Sequence, residues 1–131
     1  MNKLSVLLLL SLTYSCFTLA FENCSTETSD AEVFTCSERN RTAAEKNLNA
    51  EYSAARKRIN ETFNSQDKVK KDYLSVFVDS QKNWLKYRDG QCEIYAHVAD
   101  KNTNPYMVFK NNCVAKINEK RTAELKEIPY D

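Results

Sequence analysis

The stretch A-E-K-N-L-N-A-E-Y-S-A-A-R-K-R-I-N-E-T-F, residues 44–63, decides the fold class. Its members Ala44, Leu48, Tyr52, Ala55, Ile59 and Phe63 recur every three or four residues, the spacing that places side chains on one face of an α-helix. The same rhythm continues downstream. Leu74, Phe77, Gln81, Trp84, Arg88, Cys92 and Tyr95 form a second stripe, and Val114, Ile117, Arg121, Leu125 and Ile128 a third. The chain has one glycine, Gly90, and two prolines, Pro105 and Pro129, too few turn formers for a β-rich fold. Breaks fall at Asn64-Ser65 and between Asp100 and Pro105, where Asn favours turns and Pro restrains the residue before it. The spacing predicts three helices, at about 29–63, 66–98 and 106–127, with Ser29 or Asp30 capping the first. The expected architecture is all-α, a small antiparallel bundle of three main helices.

Upstream of these stripes, Lys3 precedes an apolar run from Leu4 to Leu12, and small residues close at Ala20. A positive end, a short apolar stretch and a small-residue cleavage site describe a secretory signal peptide. The run is too short to span a bilayer, which takes about 20 apolar residues. Residues 1–20 are therefore expected to be a signal peptide and 21–131 a single helical domain, periplasmic or secreted. Lipid on Cys16 is a less favoured alternative, because Tyr14 and Leu12 fit a lipoprotein site poorly. Membrane contact is expected only in that case.

The five cysteines are Cys16, Cys24, Cys36, Cys92 and Cys113. Without Cys16 four remain, an even number in a short exported chain, which reads as two disulfides. Four cysteines allow three connectivities. Cys92 lies ten residues before Asn102 and Cys113 eleven after it, so both sit about 15 Å from that turn in an antiparallel hairpin. A short arm before helix one can return Cys24 to Cys36. This favours Cys24–Cys36 with Cys92–Cys113. Cys36 also falls near the level of Cys92 and Cys113, so exchange among these three stays open.

Residues 1–20 hold one of the 19 basic residues and none of the 18 acidic ones, so the remainder carries 18 of each. Nucleic-acid domains are strongly basic, and a nucleic-acid partner is not expected. The charge is unevenly spread. Residues 21–55 carry seven acids against three bases, and residues 56–71 carry six bases (Arg56, Lys57, Arg58, Lys68, Lys70, Lys71) against two acids. Asn23, Asn40 and Asn60 begin N-x-S/T triplets, relevant only in a glycosylating host.

Little in the chain points to catalysis. His97 is the only histidine, and no nucleophile lies near it in a recognisable setting. No C-x-x-C pair supports zinc, no glycine-rich loop could cradle phosphate, and no cofactor is implied. The chain reads as a binder, not an enzyme. Its unusual feature is polar residues on apolar stripes: Gln81, Trp84 and Arg88 on helix two and Arg121 on helix three. A buried arginine needs a partner, and Glu45, Glu51 and Glu124 are candidates.

The segment Q-K-N-W-L-K-Y-R-D-G-Q-C, residues 81–92, resembles the signature Q-x-x-W-[IL]-x-[FY]-R-x-x-x-C of the bacterial LprI-type lysozyme-inhibitor domain. Gln81, Trp84, Tyr87, Arg88 and Cys92 occupy its fixed positions. Cys24 and Cys36 match the family's early cysteine pair. Ala44, Leu48, Asn49 and Tyr52 match its A-x-x-x-L-N-x-x-Y, and Cys113 with Arg121, Thr122 and Leu125 its closing C…R-T-x-x-L. The resemblance implies an exported helical domain whose activity is inhibition of lysozyme, protecting peptidoglycan. The partner it implies is a lysozyme or another cell-wall hydrolase. One departure is the segment from Asp100 to Pro105, which lacks the glycines often found there in the family. The surface expected to meet a partner is the acidic set Glu27, Asp30, Glu32 and Glu38, together with Lys101, Asn102 and Asn104. Two other readings are an immunity or adaptor protein for a different cell-wall enzyme, and an envelope-surface module whose basic tip at 56–71 meets anionic lipid or glycan.

Overall fold

A computed structural model describes residues 21–130. The expected signal peptide and the Cys16 alternative lie outside the described residues. The described chain is helical throughout: a short 3-10 turn at Cys24–Thr26, then α1 (Asp30–Thr62), α2 (Asp67–Ala96) and α3 (Asn104–Lys126). Both long helices run unbroken.

Local chemistry sets the boundaries. Ser29 Oγ accepts from the Glu32 N–H at 3.3 Å while Glu32 Oε2 accepts from the Ser29 N–H at 3.1 Å. This reciprocal capping box satisfies two amides that the helix cannot. The connection between α2 and α3 turns on Asn102 at φ 71°, a left-handed conformation that Asn tolerates better than most residues. α3 begins two residues earlier than the reading of Pro105 as a break implied. Thr103 Oγ1 accepts from the Tyr106 N–H at 3.4 Å, and Pro105 sits in the first turn. There its missing N–H has no helical partner to lose, so proline opens the helix.

The chain runs up, down and up. α3 packs along most of α1, less extensively on α2, and α1 touches α2 least. The main core gathers Leu48, Ala55 and Ile59 from α1, Phe77 from α2, and Leu125 with Ile128. Between α1 and α2, Tyr52 stacks on Phe77 with centroids 5.0 Å apart, and Phe63 meets Tyr73 at 5.2 Å. At the other end apolar packing thins to Cys92, Cys113, Val114 and Ile117. Two disulfides hold that end: Cys24–Cys36 with Cα atoms 5.7 Å apart, and Cys92–Cys113 at 5.5 Å. A domain of this size buries a modest fraction of its surface, and such staples supplement the core.

Two details differ from the periodicity. Tyr95 was placed on the buried stripe, but it is 52% exposed and edge-on to Phe109, while Ala96 is fully buried. From Cys92 the inward face continues four residues on, not three, because 3.6 residues make a turn. Asn40 begins an N-x-T triplet yet is only 7% exposed. Its Oδ1 accepts from the Glu22 N–H at 2.9 Å and its Nδ2 donates to the Glu22 carbonyl at 3.0 Å. Its amide is spent tying the N-terminal arm down and is not free to carry a glycan.

Candidate functional site

The polar residues of the apolar stripes meet in one cluster where α2 faces α3. Trp84 is half-buried against the main core, with the Arg88 guanidinium 5.7 Å and the Arg121 guanidinium 5.6 Å from its ring. Both distances lie within cation–π range. Arg121 donates to Gln81 Oε1 at 3.1 Å and pairs with Glu124 at 2.9 Å. Arg88 donates to Asn118 Oδ1 at 3.0 Å and pairs with the neighbouring Asp89 at 2.7 Å. Both arginine side chains are 12% exposed. Of the three carboxylates expected as partners, only Glu124 serves. Glu51 is 2.9 Å from Arg58 instead. Tyr87, which the signature grouped with these residues, is 61% exposed on the outer face of α2 and takes no part in the cluster.

Arg58 was counted within the basic tip, but its role is internal. Its Nε donates to the Ile128 carbonyl at 2.8 Å and its guanidinium to the Leu125 carbonyl at 2.7 Å. It thereby caps α3, where a positive charge also suits the negative helix end. Lys70 pairs with Asp67 at 3.0 Å. The basic tip is left with Arg56, Lys68 and Lys71 on exposed positions, and Lys57 loosely paired to Glu61 at 3.7 Å.

The residues expected to meet a partner fall at the opposite end. Ser37 of α1 and Asn111 of α3 are fully buried and joined at 3.1 Å, which fixes the opening of α1 beside the start of α3. The acidic set and the turn between α2 and α3 therefore share one end of the bundle. Asp30 and Glu32 are exposed in the first turn of α1, and Glu27 and Glu38 are half-buried. The Ser29 and Thr28 hydroxyls hold the Glu32 carboxyl below its ordinary range. Arg39 intrudes on this set, but Glu22 neutralises it at 2.6 Å, and that contact lowers the Glu22 pKa. Glu27, Ala31, Glu32, Thr35 and Arg39 line a shallow hollow of about 230 Å³. In the neighbouring turn Lys101, Asn102 and Asn104 are all exposed.

One functional-looking group went unread in the sequence. Glu93 of α2 accepts from the Tyr106 hydroxyl at 2.7 Å and contacts Lys110 directly, while Lys101 lies at 4.0 Å. The Lys110 contact and then the Tyr106 bond pull the Glu93 carboxyl down to about 2, and Glu93 in turn raises the Tyr106 phenol. No local spacing marks this group, because Glu93 meets Tyr106 and Lys110 only once the hairpin closes. His97 caps α2, exposed, with Nδ1 2.7 Å from the Glu93 carbonyl. Among the described residues no cluster of His, Cys, Asp and Glu could hold a metal ion, and no helix is long and apolar enough to cross a membrane.

A disulfide-stapled three-helix domain with an arginine–tryptophan cluster between α2 and α3 defines the class. The profile of the family described as "Lysozyme inhibitor LprI" matches residues 22–125, and the chain belongs to that family. An uncharacterized protein of Rhizobium meliloti (strain 1021) is 30% identical over 109 residues, covering 81% of this chain and 78% of the relative. The crystal structure of a DUF1311 family protein from Pseudomonas putida KT2440 superposes with a TM-score of 0.69 at 23% identity, over 83% of this chain and 99% of the other. That likeness shows the fold.

Proposed function

We propose that the protein is an exported binder that inhibits a lysozyme-type hydrolase and so protects peptidoglycan. The family match over residues 22–125 carries this reading. The two disulfides fit an oxidising compartment, which supports a periplasmic or secreted site of action. The proposed contact surface is the end that joins Glu27, Asp30, Glu32 and Glu38 to Lys101, Asn102 and Asn104. Its backbone is held by the capping box, both disulfides and the Ser37–Asn111 bond. A rigid surface loses little entropy on binding. Its acidic half suits a basic hydrolase, whose approach opposite charge would accelerate.

The deciding experiment is a muramidase inhibition assay with the oxidised mature chain, paired with surface plasmon resonance across a salt series. Association is expected to quicken at low salt, where the Debye length grows beyond about 10 Å. A variant carrying Glu27→Gln, Asp30→Asn, Glu32→Gln and Glu38→Gln should lose most of that gain while dissociation changes little. If neutralising Arg56, Lys68 and Lys71 matters instead, the basic tip is the working surface. Absence of binding at micromolar lysozyme would sink the inhibitor reading and turn attention to an immunity or adaptor role for another cell-wall enzyme.

A further inference from the structure

A groove of about 510 Å³ runs along the first half of α2, beside the end of α3 and the tail that follows it. Val69, Tyr73, Val76 and Phe77 form its α2 side, and Ile128 and Tyr130 face them. Phe77 and Ile128 are buried core residues and make the floor, while Val76 and Tyr130 stand exposed at the rim. Small-ligand sites have volumes of about 300–1,000 Å³.

Two charged side chains also line the groove, Arg121 and Asp72. The Arg121 side chain is 12% exposed. Every nitrogen of its guanidinium carries N–H donors. Nε donates to Gln81 and Nη1 to Glu124, but Nη2 makes no hydrogen bond among the described residues. A largely buried charged donor without a partner is costly, and a group seated in the groove would supply one. Asp72 is exposed and forms no ion pair among the described residues. It lies nine residues before Gln81, about 13 Å along α2 from the level of Arg121.

We propose that this groove binds a short extended peptide with small apolar side chains, its carboxyl terminus on Arg121 and its amino terminus toward Asp72. An extended chain advances about 3.3 Å per residue, so about four residues join the two charges. Alternate side chains then fall on the floor of Phe77 and Ile128. Ser80, Tyr73 and Tyr130 bring hydroxyls to the walls, partners for the amides of a peptide backbone. A fatty acid also has a carboxylate and an apolar body, but it would set a hydrocarbon end beside the unpaired Asp72 and leave the hydroxyls unused. Glu124 already holds one side of Arg121, so the peptide gains charge-assisted hydrogen bonds to a paired guanidinium. The groove lies at the end of the bundle away from Glu27, Asp30, Glu32 and Glu38, and the proposal does not rest on the lysozyme reading.

The chain carries its own reporter. Trp84 is the only tryptophan, and the Arg121 guanidinium lies 5.6 Å from its ring. Titrating the oxidised mature chain with a tetrapeptide of alanine and valine, to about 1 mM, should shift Trp84 emission saturably, and calorimetry should return the same affinity. Amidating the peptide's carboxyl terminus should weaken binding about tenfold. Acetylating its amino terminus, or Asp72→Asn in the protein, should weaken binding at most about fivefold, as suits an exposed pair. Val76→Glu alters an exposed position, so melting temperature should hold while a carboxylate in the groove lowers affinity at least about tenfold. No saturable response, or a Val76→Glu chain that binds as well, overturns the proposal. An amidated peptide that binds equally overturns the seat on Arg121. Dodecanoate binding where the peptide does not would make the occupant a lipid and overturn the peptide.

Discussion

The two ends of this bundle are built from different materials. The end holding the α1–α2 turn is joined by apolar burial: Ile59 and Leu125 are fully buried, Phe77 nearly so, and two aromatic pairs close the seam. The end holding the α2–α3 turn has little apolar volume and relies on directed bonds: two disulfides, Ser37 with Asn111, and Glu93 with Tyr106 and Lys110. Burial is non-directional and tolerates adjustment, whereas bonds of fixed geometry hold particular atoms in particular places. The division places most of the apolar core at one end and a covalently and hydrogen-bond-fixed backbone at the other.

The comparison predicts where a change is felt. Leu125→Ala should be the most damaging, about 2–5 kcal/mol of unfolding free energy, because Leu125 lies in the main core and leaves a cavity there. Chemical denaturation with unchanged m-value would measure it. The paired change Cys92→Ala and Cys113→Ala should cost less, about 3 kcal/mol for a loop closed over a separation of 21 residues. Hydrogen exchange separates the two. The disulfide variant should lose protection first near the α2–α3 turn, and the Leu125 variant should lose it throughout. A disulfide variant that opens uniformly would mean that the ends are not distinct.

The apolar end was the easier one to read in the sequence. Ala44, Leu48, Ala55, Ile59 and Leu125 keep helical spacing, and burial follows spacing directly, so helix number, order and the main core were visible. Levels around the Asn102 turn favoured the Cys92–Cys113 pair that the structure has, but they left exchange with Cys36 open. The directed bonds were hidden for a physical reason: their partners lie far apart in sequence and carry no periodicity. Ser37 and Asn111 are separated by 74 positions, and nothing in either residue's neighbourhood announces the other. Arg58 looked like surface charge because a cap on another helix's carbonyls depends on where that helix ends. Tyr87 stands in the signature beside the cluster residues yet points outward, because a signature records which residues recur together, not which way they point.

The Arg88 cluster lies between the two ends and tests the boundary. Arg88→Ala should cost about 1–3 kcal/mol, the usual loss when a buried hydrogen-bonded group is left without its partner. Asn118 is fully buried, its Oδ1 is held by Arg88, and its Nδ2 has no acceptor among the described residues. Removing Arg88 leaves the whole amide unbonded. The effect should appear in melting temperature. Lost target binding at an unchanged melting temperature would reassign Arg88 to the contact surface.

The smallest expected effect belongs to Glu93, and pH isolates it. A carboxyl whose folded pKa lies below its unfolded value stabilises the fold above the unfolded value, and that contribution disappears as pH falls toward the folded one. For Glu93 the window runs from the ordinary 4.5 down to about 2, set first by Lys110 and then by the Tyr106 hydroxyl. Glu93→Gln keeps the shape and can still accept from Tyr106, but it cannot titrate. The wild-type chain should therefore melt higher than the variant near neutral pH, the difference should shrink below pH 4.5, and the two should converge near pH 2. High salt should shrink the neutral-pH difference only in part, because it screens the Lys110 charge but leaves the Tyr106 bond in place. Parallel melting curves across the whole acid range would show that Glu93 contributes nothing through its charge. The stapled end would then rest on its disulfides, the Ser37–Asn111 bond and the Tyr106 bond without help from that charge.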